Sequence, residues 1–288
     1  ATFEELNSFN VLATAFSFRN QKAEDNKGTY IKLDSYLSTE EKIKEFYNKN
    51  NRFEISQELL KYIKDYPIVY WISDKMRDIF KNQSKLEEFA EPRVGLQTGE
   101  NAKFVRNWYE IDFKQIGFNY ENCEQTKDCK FKWFPYNNGG NYRKWYGNNE
   151  AVVDWYDDGR DIKEDKLYKL SIGKCLESNS KPKNTQYYFL PGITWSIFGF
   201  SNFGVRIKEK GFIFDVSGSS GFPNEDDTLY ILAFLASKVS FAFLSVLAPT
   251  VNFQTGNIAD LPLKITENKE YRDRINKLAL EILRSEEH

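Results

Sequence analysis

The sequence predicts a mixed α/β (α+β) fold, with an irregular β-rich middle flanked by helices. Three observations carry this prediction. Helix-start signals recur between Ser38 and Lys81. Residues 92–222 then turn rich in Gly, Asn, Lys and Trp, and their apolar runs shorten to strand length. Beyond Phe222, apolar periodicity returns in two long runs, 228–247 and 266–285. With 288 residues, 41% of them hydrophobic and 28% charged, the chain can fill one large domain or two smaller ones.

The elements follow in order. Residues 11–18 (VLATAFSF) are apolar and β-prone, 20–28 form a polar turn, and 29–33 alternate as a strand does, so an antiparallel hairpin is expected. The opening ATFEEL is already amphipathic and has no initiator Met, which reads as a piece of something longer. Ser38-Thr39-Glu40-Glu41 opens a helix to Tyr47, with acids in the first turn where the helix dipole favours them. A second helical stretch covers 56–62. Pro67 interrupts it, and 68–72 reads as a short strand. Ser73-Asp74 caps a helix to Lys81 with Met76, Ile79 and Phe80 on its apolar face. Within the β-rich middle, 211–216 (GFIFDV) reads as a strand ending in the turn 217–221. Asp226-Asp227 leads the strongest helix, 228–247, which Pro249 ends. Residues 249–262 read as extended. The last helix, 266–285, carries Tyr271, Ile275, Leu278 and Ile282 at heptad-like spacing.

Composition removes several functions. Histidine occurs once, as His288 at the end of the sequence, so Ser/His/Asp and Cys/His machinery and His-rich metal catalysis are excluded. Cys123, Cys129 and Cys175 are few and odd in number, which fits a reducing cytoplasm and free thiols. The apolar run 234–246 is too short to span a bilayer and contains Lys238. No basic segment followed by an apolar core opens the sequence. The densest carboxylate runs are Asp157-Asp158, read as a turn before Gly159, and Glu225-Asp226-Asp227, read as a helix N-terminus.

What remains points to recognition. Residues 131–149 (FKWFPYNNGGNYRKWYGNN) gather rings, cations, amides and the Gly139-Gly140 pair in one window. Rings stack on flat partners, Arg and Lys meet phosphates or base edges, and Asn amides read donor and acceptor patterns. Alternation turns some of these rings inward, leaving Asn138, Asn141, Arg143 and Lys144 as the polar members without a core role. Three further candidates are weaker. Residues 95–101 (GLQTGEN) form a binding turn or a plain turn, and 181–184 (KPKN) a phosphate grip or a solvated loop. Arg206, on an alternating stretch, is a base or phosphate contact or a structural ion pair. The formal net charge of −2 weighs mildly against a nucleic-acid partner without excluding a local basic face.

Five strings match a family in order: GLQTGEN (95–101), KWFPYNNGGNYRKWYGNN (132–149), KPKNTQYYFLPGITWS (181–196), GFIFDVSGSS (211–220) and PTVNFQTGNIADLPL (249–263). They resemble the C-terminal half of the PglX-type adenine-specific DNA methyltransferases of BREX phage-defence systems. TFEEL followed by VLATAFSF looks like the end of that family's catalytic domain. The family moves a methyl group from S-adenosylmethionine to N6 of adenine through an Asn-Pro-Pro-Tyr motif, with a glycine-rich cofactor motif upstream. Neither occurs in these residues, and the nearest string is Phe134-Pro135-Tyr136.

The resemblance therefore implies a target-recognition fragment that is inactive alone and holds no cofactor, S-adenosylmethionine belonging to the full-length enzyme. The layout it implies is 1–37 for the last catalytic-domain strands, 38–90 for a helical connector, 91–265 for DNA target recognition and 266–288 for a C-terminal helix. Its implied partners are double-stranded DNA, the catalytic domain of the same enzyme and other phage-defence proteins, with no membrane. On this reading Lys132, Lys144, Lys181 and Lys183 meet phosphates. Asn141, Arg143 and Arg206 read base edges beside Asn138, and Gly139-Gly140 permit close backbone approach. Two other readings are a carbohydrate-binding module, since Trp, Tyr and Asn also suit sugar rings, and a scaffold docking other defence proteins through its last helix.

Overall fold

The computed structural model describes residues 14–18, 27–179, 181–199, 202–249 and 252–287. Its architecture is mixed α/β, with three small sheets, and the chain forms two compact units, 1–82 and 83–288.

In the first unit, β1 (Lys27–Ile31) pairs antiparallel with β2 (Arg52–Ser56), and α1 (Thr39–Phe46) lies in the connection between them. Ser38 caps α1 as its sequence predicts: its Oγ accepts from the Glu41 N–H, and the Glu41 carboxylate accepts from the Ser38 N–H. The expected hairpin partner of β1 is replaced by β2. Residues 11–13 and most of the predicted turn lie outside the described residues, and 14–18 form no strand, with Phe16 and Phe18 exposed. A 3₁₀ helix, Gln57–Tyr62, takes the place of the second helical stretch.

No strand forms at 68–72. Asp65 and Tyr66 adopt left-handed backbone before Pro67, which has no N–H to give a ladder, and Val69 and Ile72 drop into the core from irregular chain. The next helix, α2 (Asp74–Asn82), starts where expected, with Ser73 Oγ accepting from the Met76 N–H. Its most buried side chain is Arg77, whose guanidinium reaches Asp74 at 2.6 Å and the Tyr70 carbonyl at 3.2 Å.

The second unit holds two sheets. After α3 (Asn101–Phe104) come β3 (Val105–Asn107), β4 (Trp133–Asn137) and β5 (Ala151–Asp154). After α4 (Tyr156–Ser171) come β6 (Gly192–Trp195), β7 (Val205–Lys208), β8 (Ile213–Phe214) and β9 (Ser220–Gly221). One sheet runs β3-β5-β4-β8, with β8 parallel to β4, and the other runs β7-β6-β9, all antiparallel. Phe134, Tyr136, Val153, Trp155, Tyr188, Phe189 and Phe214 fill the core on one face of the first sheet. Across the other face Trp133 and Val152 pack with Ile116. That double cover explains why every residue of β4 is buried.

The 95–101 turn is a seam of the fold. Leu96 is buried and its N–H donates to the Phe214 carbonyl at 2.7 Å. A Cβ on Gly95 would stand 2.0 Å from that carbonyl oxygen, which explains the glycine.

The helices differ from expectation in three places. Helix α4 was not expected. Its range includes a left-handed kink at Asp157, Asp158 and Gly159, so the turn read at those residues is present and regular helix runs on from it. Ion pairs Lys103–Asp165 and Lys169–Asp165, both 2.7 Å, hold it where no clear apolar stripe does. The run expected as one helix is two, α5 (Glu225–Leu235) and α6 (Lys238–Leu247), bent by 75°. Ser237 makes the break by capping α6, its Oγ accepting from the Ser240 N–H. Within the expected extended stretch lies a short α7 (Thr255–Ala259), where Asn257 Oδ1 accepts from the N–H of the N-cap residue Gln254. The final helix, α8 (Lys269–Glu286), packs on α5, burying Ala279 and Leu283, while Tyr271, Leu278 and Ile282 of the heptad-like stripe stay exposed.

Candidate nucleic-acid interface

Strands β4 and β5 are antiparallel neighbours that a tight turn could join. The chain between them instead makes a long excursion that ties into the second sheet. The Trp145 N–H donates to the Val205 carbonyl and the Ile207 N–H to the Trp145 carbonyl, both at 2.8 Å, so the loop lies along the edge of β7 that β6 leaves open. Asn148 staples the loop to itself, its Nδ2 donating to the carbonyls of Gly139 (2.8 Å) and Asn141 (2.9 Å). Ser196 Oγ donates to the Gly140 carbonyl at 3.1 Å. Gly139 has φ +80, and a Cβ there would stand 2.5 Å from the Ser217 carbonyl oxygen. The close backbone approach that this glycine permits is thus to the protein's own chain.

Charge supports the loop from beneath. Arg206 is 1% exposed and donates to Ser196 Oγ at 3.3 Å, with a longer contact of 3.5 Å to the Gly139 carbonyl. Its Nε has no partner in the structure. Burial, with the nearby Arg143 charge adding to it, lowers its pKa to about 10. Two residues on, Lys208 is fully buried, and burial lowers its pKa to about 7. Its ammonium donates to the Leu190 carbonyl and lies 5.7 Å and 5.8 Å from the ring centroids of Phe214 and Phe222. Lys144 reaches the Ala236 carbonyl at 2.6 Å, placing a cation at the C-terminus of α5 where the dipole favours it.

The predicted residues therefore separate. Asn138, Gly139, Gly140, Asn141, Arg143, Lys144 and Arg206 come together in and under this loop. Gly140, Asn141, Tyr142 and Arg143 form its exposed crest, and Asn138 is half-buried. Arg206 faces inward and Lys144 is engaged with α5, so both position the loop. Lys132 stands at the opposite end of β4, exposed, with its ammonium 3.2 Å from the buried Asp154 carboxylate. Burial raises the Asp154 pKa, and Lys132 opposes that rise. Lys181 and Lys183 are exposed, with Lys183 close enough to Lys166 of α4 to repel it. Cys123, Cys129 and Cys175 are free thiols.

Sequence reasoning missed a second surface. Trp108, Phe113 and Phe118 are exposed and, with Pro135, Asn149 and Phe212, line an open cleft of about 300 Å³. The only signal in the sequence is four rings, Trp108, Tyr109, Phe113 and Phe118, spread through a segment with no strand or helix period.

No family model matches the chain. Two methyltransferases do. The adenine-specific methyltransferase PglX of Lacticaseibacillus casei is 36% identical over 269 residues, covering 91% of this chain and 22% of that protein. The adenine-specific methyltransferase BrxX of Escherichia coli is 28% identical over 289 residues, covering 99% of this chain and 22% of that protein. The chain is homologous to PglX and BrxX. It spans about a fifth of the length of these relatives, and the BrxX alignment includes both compact units.

Proposed function

We propose that the chain is the DNA target-recognition part of an S-adenosylmethionine-dependent adenine-N6 methyltransferase of a phage-defence system. The observation that carries this reading is the homology to two adenine-specific methyltransferases over 91% and 99% of the chain. The stapled loop with Asn141 and Arg143 at its crest supports it. In this reading residues 1–37 close the catalytic domain, 38–90 connect and 91–265 hold the duplex. The cofactor and catalytic residues lie outside this stretch, since neither the Asn-Pro-Pro-Tyr nor the glycine-rich motif occurs in it.

Extruding an adenine from the helix costs a few kcal/mol, which a grip on the flanking duplex offsets. A loop already fixed by Asn148, Ser196 and the β7 edge loses little freedom on binding, so more of its contact energy appears as affinity. Arg143 and Asn141 take base edges. Lys132, Lys181 and Lys183 take phosphates, and Lys144 and Arg206 hold the loop in register.

Fluorescence anisotropy with a labelled duplex tests the reading. Binding is expected at low salt and must weaken as salt rises, because phosphate contacts release counterions. Absence of duplex binding at low salt, with binding to a glycan array instead, would overturn it in favour of a carbohydrate module.

A further inference from the structure

The face of the first sheet opposite the main core has a composition that the loop reading leaves unused. Arg106 on β3 is in register with Val152 on β5, and Val152 with Pro135 on β4, so the three form one row across that face. Pro135 and Val152 are part of the lining of the cleft that Trp108, Phe113 and Phe118 wall. The Phe113 and Phe118 rings are 5.2 Å apart at 35°, and Trp108, Phe113 and Phe118 are each more than two-fifths exposed. Exposed rings grouped around one recess are uncommon on a surface with nothing to bind. About 300 Å³ suits one flat heterocycle and is far too small for a helix.

A guanidinium stands in the same row, its Cζ 5.8 Å from the Trp133 ring centroid. Arg106 donates through Nη1 to the carbonyls of Ala102 and Val105, both at 2.7 Å, and has no carboxylate partner among the described residues. Of the acids on the same segment, Glu110 accepts from the Asn107 N–H and Asp112 from the Lys114 N–H, and neither pairs with Arg106. Rings for a flat partner next to a guanidinium without a counter-ion is the pairing that takes an unstacked base together with its phosphate.

We infer that this cleft is a stacking site for one unpaired nucleobase of bound DNA, with Arg106 meeting the adjoining phosphate. The inference rests on the DNA reading above but concerns a different surface from the loop. The test compares two labelled duplexes, one fully paired and one identical except for a single unpaired adenine, by anisotropy with the 288-residue chain. The unpaired base is expected to tighten binding about tenfold, the size of one base–aromatic stack. Trp108→Ala and Phe113→Ala should each reduce that preference toward unity while leaving the affinity for the paired duplex unchanged, and Phe113→Ala, at the more exposed ring (61% against 48%), should also leave the melting temperature unchanged.

Equal affinity for the two duplexes, or a preference that survives both ring substitutions, overturns the inference and leaves the proposed function standing. No binding to either duplex removes both. Saturation by adenosine monophosphate without any preference between duplexes would make the cleft a free-nucleotide pocket and also overturn it. Loss of the cleft's exposure to solvent on adding a catalytic domain, read by Trp108 quenching in wild type against Trp108→Phe, would instead identify a protein interface and overturn it as well.

Discussion

The β4–β5 loop and the cleft face of the first sheet are opposite solutions to presenting a binding group. The loop is held by its own backbone: Asn148, Ser196 and the β7 edge fix it, and its exposed members are the short run from Gly140 to Arg143. The cleft face has rings in place of staples, exposed on one-turn helices and irregular chain at 108–118. The string richest in aromatics buries three of its rings, Trp133, Phe134 and Tyr136, to 7% exposure or less, and leaves Tyr142 exposed on the crest. A dense motif is thus as much a core as a surface, and the plainer segment exposes more rings.

The largest effect is expected at Lys208, on the strand that carries the loop. Its pKa falls from the usual 10.5 to about 7 because burial disfavours the ammonium. The unfolded chain therefore binds more protons than the folded one between about pH 7 and 10.5, and stability rises with pH across that window. Below pH 7 the full cost is present, on the order of 5 kcal/mol. Lys208→Met should be more stable than wild type at pH 6.5–7, with the difference shrinking by about pH 9.5. Urea melts at both pH values check this, and a difference independent of pH would show that Lys208 is not a buried cation under the loop.

Second in size is Gly139→Ala. The left-handed φ and the Ser217 carbonyl together make a Cβ cost about 3 kcal/mol. Because the strain falls on the loop and not on the cleft, paired-duplex affinity should fall while the preference for an unpaired base persists. Loss of both together would mean that the two surfaces are one cooperative site.

Arg143→Ala comes third. It removes a crest side chain without a described ion pair, so duplex affinity should fall about tenfold with no change in melting temperature. Arg206→Gln should show the reverse order, losing stability first, since its guanidinium is buried under Gly139 and Ser196. Equal affinity losses at unchanged stability for both would erase the distinction between crest and support.

How much of this was legible follows from which forces are local. Caps were legible, because Ser38 with Glu41 and Ser73 with Met76 act within one turn. A strand was legible at 29–33 and forms two residues earlier, at 27–31, but its partner was not legible, since β2 is brought to it by the turn and helix in between and no short-range signal specifies that pairing. Helix α4 escaped because no apolar stripe marks it locally and its contacts lie far away in sequence, Ile162 in the main core and ion pairs to Lys103 and Glu100. The break at Ser237 had neither Gly nor Pro to mark it. Within the site, exposure of Asn141 and Arg143 followed from their having no core role. The inward positions of Arg206, read as either a contact or a structural ion pair, and of Lys144, read as a phosphate contact, were not legible, because a cation's destination depends on a cavity and a helix end built from distant residues.

The smallest effect is expected at Lys132, the cation at the far end of β4. Its side chain is 47% exposed, so solvent screens the pair with Asp154 and Lys132→Met should cost only about 0.5–1 kcal/mol at pH 7. Asp154 has its pKa raised by burial, so its carboxyl neutralises at a higher pH than in the unfolded chain, and Lys132 limits that rise. The cost of Lys132→Met should therefore be present at neutral pH and vanish as pH falls to where Asp154 is protonated, which paired melts at pH 7 and pH 4 would read. Toward DNA the same pairing matters. A lysine already neutralising a carboxylate releases less than a full counterion when it meets a phosphate. The salt slope of duplex binding should then change by clearly less than one for Lys132→Met and by about one for Lys183→Met, an exposed lysine without a described carboxylate partner. A slope change as large at Lys132 as at Lys183 would mean that DNA draws Lys132 away from Asp154, and would make the far end of β4 as much a phosphate contact as the 181–184 turn.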